Sequence, residues 1–251
     1  MSHEVARRQA RQVATLADGY GTTFARQVSG VLRSLERRLS RLLPDLSPAS
    51  RVRGTQLNQV RVGIREALTE AGYGALVQEA YQQPLVRIAD AVLDAAIPVR
   101  STVAARLDAL RVLATENLLA EGDALAHDLW QATMRGVLGG RDRGLILDDL
   151  AKRLDRSEAQ MRTLYDTSLS IYGRQVEAIQ AGNDPLTVYV YLGPDDEVTR
   201  PFCQERVGKE FTREQIDAME NGQIPDVFLA GGGYNCRHLW LEVAREAAEA
   251  A

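Results

Sequence analysis

Phe24, Val28, Val31, Leu32, Leu35, Leu39 and Leu42 follow one another at separations of 4, 3, 1, 3, 4 and 3 residues. Only an α-helix, at about 3.6 residues per turn, gathers such positions along one side. A helix with one apolar stripe must bury it against other elements, so the chain is committed early to helix packing. Composition agrees. Of 251 residues 45% are hydrophobic but only 6% aromatic, so the core is built mainly from Leu, Val, Ile and Ala, which favours helices over a large β-sandwich.

The stripe is expected to stop at Pro44-Asp45-Leu46-Ser47-Pro48, where two prolines cannot continue a helix. A second helix is predicted over 51–71, ending at Gly72-Tyr73-Gly74, and a third over 75–95 with a kink or split at Pro84. Ser101 is the expected N-cap of a long Leu/Ala-rich helix to about Val137, closed by Gly139-Gly140. A short helix over Leu145–Leu154 follows. Ser157-Glu158-Ala159-Gln160 then matches a capping box, which predicts a separate helix to about Gln180.

After Pro185 the texture changes. Thr187-Val188-Tyr189-Val190-Tyr191 is β-branched and aromatic and reads as a strand, followed by a turn at Gly193-Pro194-Asp195-Asp196. Gly208-Lys209-Glu210-Phe211 reads as a hairpin. Thr212-Arg213-Glu214-Gln215 is another capping box, opening a helix to about Glu220. Val227-Phe228-Leu229 reads as a short strand, and Leu239–Val243 as the last strand. The expected fold class is α+β: mainly long helices, with a small C-terminal α+β module. The expected division is an arginine-rich helical arm over 1–98, a helical region over 99–184, the module over 185–245 and a tail over 246–251.

No apolar run reaches the roughly 18 residues of a membrane helix, and the N-terminus lacks the apolar core of a signal peptide. Two cysteines do not make a disulfide framework, so a reduced cytosolic protein is expected. The net charge of −4 is unevenly spread. Residues 1–65 carry twelve arginines against four acids, a balance of +8, which leaves −12 for the remainder. Arg33, Arg37, Arg38 and Arg41 lie mostly off the apolar stripe. They are candidate contacts for nucleic acid or an acidic protein, against the plainer reading of a solvated face without interleaved aromatics.

The chemically demanding residues concentrate near the end. The stretch 189–240 holds both cysteines, one of three histidines, one of two tryptophans and the only Gly-Gly-Gly. Cys203, Cys236 and His238 have the donor types that zinc accepts. Their number and spacing oppose it, because structural zinc sites usually bring four ligands in close pairs. A thiol–thiol contact between Cys203 and Cys236 in a reduced core is the preferred reading. Cys236 and His238, two residues apart, share a side of an extended chain, yet no surrounding signature marks a cysteine nucleophile. Asp195, Asp196, Thr199 and Arg200 read as a polar turn, with Arg200 or Arg237 pairing its carboxylates. Gly231-Gly232-Gly233 lacks the Lys-Ser/Thr and following helix of a phosphate loop and fits close backbone approach instead. Tyr191 and Trp240 are expected to be buried together on neighbouring strands.

Three segments carry a resemblance: Tyr191-x-Gly193-x-x-Asp196-x-x-Thr199-Arg200-x-x-Cys203, then Gly208-Lys209-x-Phe211-Thr212, then Gly233-Tyr234-Asn235-Cys236-Arg237-His238-x-Trp240. Together they resemble the C-terminal region of phage minor head proteins of the Mu F-like, head-morphogenesis family. Thr167-Ser168-Leu169-Ser170 is similar to the helical lead-in of that family, and the likeness covers roughly residues 100–243. It implies a non-enzymatic virion component of a tailed phage or prophage. Such a protein is made in the host cytoplasm and sits at the head near the portal vertex, in several copies. Its implied partners are the portal protein, the major capsid protein or both, and packaged DNA. It assists head assembly, DNA packaging or delivery. The departure at Glu205 and Arg206, where many relatives carry another Cys, weakens zinc further. The alternatives are a zinc-dependent hydrolase or nuclease built on Cys203, Cys236 and His238, and a DNA-binding packaging accessory without a capsid role.

Overall fold

The computed structural model describes residues 1–43, 54–93, 101–181 and 187–243. The elements run α1 (His3–Leu42), α2 (Gly54–Glu70), α3 (Tyr73–Ala80), α4 (Gln82–Val92), α5 (Ser101–Leu138), α6 (Arg143–Ala181), β1 (Val188–Leu192), α7 (Pro201–Gln204), β2 (Glu210–Thr212), α8 (Arg213–Asp217), α9 (Val227–Ala230) and β3 (Leu239–Val243). This is the α+β fold that the sequence implies. The stop expected at Pro44–Pro48, the change of texture at Pro185 and the tail after Val243 lie outside the described residues, and Ser101, the expected N-cap, is the first residue of α5.

The chain forms two compact units, each assembled from separate stretches. One contains Met1–Gly21, Tyr81–Val112 and Thr163–Ala251; the other contains Thr22–Ala80 and Leu113–Arg162. In the second unit Phe24, Val28, Leu32, Leu35 and Leu39 are all buried, so the stripe is core. Glycines let helices approach there. A Cβ at Gly122 would fall 2.3 Å from the Tyr73 ring, and one at Gly136 would fall 2.6 Å from Ile146. Tyr73 donates its hydroxyl to Leu118 O at 2.5 Å. Arg143 donates to Leu43 O at 2.8 Å and also to Ser40 O, satisfying carbonyls that α1 leaves open at its C-terminus.

The first unit holds the sheet, ordered β2-β1-β3 with both pairings antiparallel. Every residue of the central strand is buried. Period-two alternation puts Tyr189 and Tyr191 on one face and Val188, Val190 and Leu192 on the other. On the latter face Leu241 opposes Val190 and Leu239 opposes Leu192. There the sheet meets helices: a Cβ at Gly173 of α6 would touch Ile88 of α4, Leu239 of β3 and Val13 of α1 at 3.4–3.6 Å. The other face belongs to the small module, whose core is Tyr189, Tyr191, Cys203, Ile216, Val227, Phe228, Cys236 and Trp240.

α1 starts at His3, well before the stripe, because Ala6, Ala10, Val13 and Ala17 extend the buried face backwards. Three local expectations are corrected. The Ser157 capping box does not open a helix; α6 is continuous from Arg143 to Ala181, since nothing at 155–158 breaks the backbone and Leu154 and Met161 keep one buried side going. Val227–Leu229 is helical, part of α9, because the Asp226 side chain accepts Leu229 N–H and caps that turn. Gly208–Phe211 is no tight hairpin; β2 does pair with β1, but α7 and its flanking loops lie between them. Pro84 splits the third predicted helix as expected, with the break at Tyr81 and the proline in the first turn of α4, where its missing N–H costs nothing.

Candidate functional site

Strand pairing builds the site. β1 and β3 put Tyr191 opposite Trp240, with ring centroids 4.1 Å apart. Trp240 is 1% exposed and donates its indole N–H to Val227 O at 3.1 Å. Both residues are therefore buried together on neighbouring strands, as expected. Upstream of β3, the extended residues Cys236 and His238 turn to the same side as Trp240. The His238 ring stacks on Tyr191 at 5.0 Å and 15°. Cys203 arrives from α7, whose start is set by Pro201 at N1.

Cys203 Sγ and Cys236 Sγ lie 3.9 Å apart as free thiols, and Cys236 Sγ lies 3.8 Å from His238 Nδ1. The donor atoms of all three residues fall within 4.8 Å of one another. Tyr191 Oη is 3.4 Å from Cys203 Sγ and 3.2 Å from Cys236 Sγ, and the Gly232 N–H points at Cys236 Sγ at 3.1 Å. The Cys236 thiol is held well below its ordinary pKa, first by the hydrogen bond from Cys203 and then by the Arg174 charge, against the penalty of burial. Cys203 is pushed up as the proton-holding partner. Burial likewise keeps Tyr191 a neutral phenol.

The glycine run is explained by this crowding. A Cβ at Gly232 would lie 2.4 Å from Cys203 Sγ, one at Gly231 would lie 2.9 Å from Cys236 Sγ, and one at Gly193 would lie 2.6 Å from the His238 ring. Gly231 and Gly233 also adopt φ of +57° and +96°.

The polar part of the motif forms a clasp beside this cluster. Arg237 donates to both Asp196 carboxylate oxygens at 2.6 Å, and that guanidinium holds the Asp196 carboxyl below its usual range. Thr199 Oγ1 accepts the Asp196 N–H at 3.0 Å and donates to Pro194 O at 3.1 Å. Of the two arginines expected to pair with the turn's carboxylates, Arg237 does so; Arg200 donates instead to Gly232 O at 2.9 Å, tying the turn to the glycine run. Gly208 takes φ +80° at the approach to β2, and Asn235 takes φ +56° before Cys236. Phe211 meets Trp240 edge-on at 5.6 Å, and the Thr212–Gln215 capping box is formed in both directions.

Three residues of α6 join the module: Thr167 belongs to the helical lead-in already noted, while Arg174 and Glu177 lie outside every segment that carries the resemblance. Arg174, 1% exposed, donates to the carbonyls of His238, Leu229 and Cys236 at 2.9, 2.8 and 2.7 Å. Glu177, 3% exposed, accepts the Glu242 N–H at 2.8 Å. Thr167 Oγ1 accepts the Asn235 N–H at 3.0 Å. The available signal was an arginine and a glutamate within the apolar side made by Leu169, Tyr172 and Val176. Of the other histidines, His3 pairs with Glu210 and His127 bonds Gln131. Of the arginine face, Arg33, Arg37 and Arg41 are exposed, while Arg38 is half-buried and paired with Glu70.

Compared with family models, curated proteins and solved structures, the chain matches none of them.

Proposed function

We propose that the chain is a structural minor head protein of a tailed phage, seated at the capsid interior near the portal. In that role it assists head assembly or the packaging and delivery of DNA. The observation that carries this reading is that the residues bearing the head-morphogenesis resemblance act as one structural unit. Tyr191, Cys203, Cys236, His238 and Trp240 touch through sulfur contacts and stacking, Asp196, Thr199 and Arg237 form a hydrogen-bonded clasp, and Gly232 is bonded both to Arg200 and to Cys236. A motif that staples a fold suits an assembly component. Exposures of 2%, 4% and 2% for Cys203, Cys236 and His238 leave a substrate no approach, which favours this role over a hydrolase or nuclease built on the same three residues. The exposed Arg33, Arg37 and Arg41 offer a surface for packaged DNA.

The test is a mass-spectrometric inventory of purified particles of the phage or prophage that encodes the chain. Several copies per particle are expected, with DNA-filled heads failing to form when the gene is deleted. Particles that lack the chain, or assemble and package normally without it, would overturn the reading.

A further inference from the structure

We propose that Cys203, Cys236 and His238 form a structural binding site for a zinc-class divalent ion inside the C-terminal module. This stands apart from any role in a virion. Zinc bonds thiolate sulfur at about 2.3 Å and imidazole nitrogen at about 2.0–2.1 Å. Tetrahedral geometry then separates two sulfurs by roughly 3.8 Å, and a sulfur from a nitrogen by roughly 3.5 Å. The sulfurs stand 3.9 Å apart, and Cys236 Sγ stands 3.8 Å from His238 Nδ1. Two of the three donor pairs thus match the vertex spacing of a coordination shell to within a few tenths of an ångström, and all three donors lie within 4.8 Å of one another, a gap that a small side-chain rotation closes.

The surroundings fit the same ion. Tyr191 Oη, at 3.4 and 3.2 Å from the two sulfurs, is a buried polar neighbour of both. The Gly232 N–H on Cys236 Sγ is the kind of outer contact that orients a coordinated thiolate. Arg174 holds the backbone carbonyls of both Cys236 and His238, fixing two donors before any ion arrives. On coordination each thiol releases its proton to solvent and His238 binds as the neutral imidazole, so two thiolates balance the ion's charge. Full burial of the donors makes this a closed, structural site.

The test uses the full chain, untagged, reduced and stripped with a chelator, titrated with Co(II) and then Zn(II). The expected result is sulfur-to-cobalt charge-transfer absorption with the visible bands of tetrahedral cobalt. Both should saturate at one ion per chain and be bleached by one equivalent of zinc. Cys203 and Cys236 are the chain's only cysteines, so this absorption assigns them in the wild type without any variant. Cys236→Ser should abolish the charge transfer, and His238→Ala should weaken binding at least tenfold. A folded, reduced wild-type chain that gives no charge-transfer absorption in excess Co(II) overturns the site. So does unchanged affinity in His238→Ala.

Discussion

Glu177 is the sharpest place to test the energetics of this fold. Its carboxyl is 3% exposed at the end of α6, with Oε1 accepting the Glu242 N–H at 2.8 Å. Burial raises its pKa from 4.5 to about 7; the Glu242 hydrogen bond pulls the other way but does not win. The folded chain therefore holds this proton more tightly than the unfolded chain. The stability that this group contributes is fully present below pH 4.5 and is lost as pH rises through about 7. A rise from 4.5 to about 7 corresponds to about 3 kcal/mol, on the order of 1.4 kcal/mol per unit. Glu177→Gln keeps a carbonyl oxygen for the Glu242 N–H and removes the titration. Urea unfolding of both proteins across a pH series isolates the effect, because other titrating groups cancel in the difference. Relative to wild type, the variant should gain about 2–3 kcal/mol between pH 5 and pH 8. A difference that stays flat, or that moves the other way, would refute the claim that an uncompensated buried carboxyl sits at this junction.

Trp240→Ala, which empties the space between Tyr191 and Phe211, should cost about 3–5 kcal/mol in urea unfolding, and a fully stable variant would contradict its burial. Gly232→Ala should cost about 1–3 kcal/mol, because its Cβ would fall 2.4 Å from Cys203 Sγ. Gly30→Ala, a helical site with nothing within 4 Å, should instead stabilise by up to about 1 kcal/mol; equal effects at the two positions would undo the close-approach account. Replacing Arg33, Arg37 and Arg41 together with alanine should lower the steepness of salt-dependent DNA binding by about 2–3 in the log–log slope. An unchanged slope would remove that face from any DNA contact.

The long helices were legible because the signal is local and periodic. The spacing from Phe24 to Leu42 needs one turn of backbone to interpret, and those positions lie within one helix. The Thr212 capping box was legible for the same reason, since both of its hydrogen bonds close within four residues. An identical pattern at Ser157 misled, because a capping box only marks a helix start where the preceding turn ends, and α6 runs through it. Val227–Leu229 has strand-like composition, yet three residues weigh little against the Asp226 cap. At the site, residue types pointed to Cys203, Cys236 and His238, whereas sequence spacing argued against their acting as one donor set. Strand pairing and α7 bring Cys203 to Cys236 across 33 residues.

The sequence by itself determined that the chain up to about 181 is built of long helices, where the texture changes to a strand-bearing module, and which rare residues concentrate there. Those properties follow from neighbours a few positions apart. Only the tertiary structure decided that α6 clamps the module through Thr167, Arg174 and Glu177, and that three glycines make room for three donors. Sequence pattern carries no term for such contacts, because they depend on elements meeting across tens of residues. A buried arginine on three carbonyls and a pair of sulfurs 3.9 Å apart are set by that meeting, through burial and close packing.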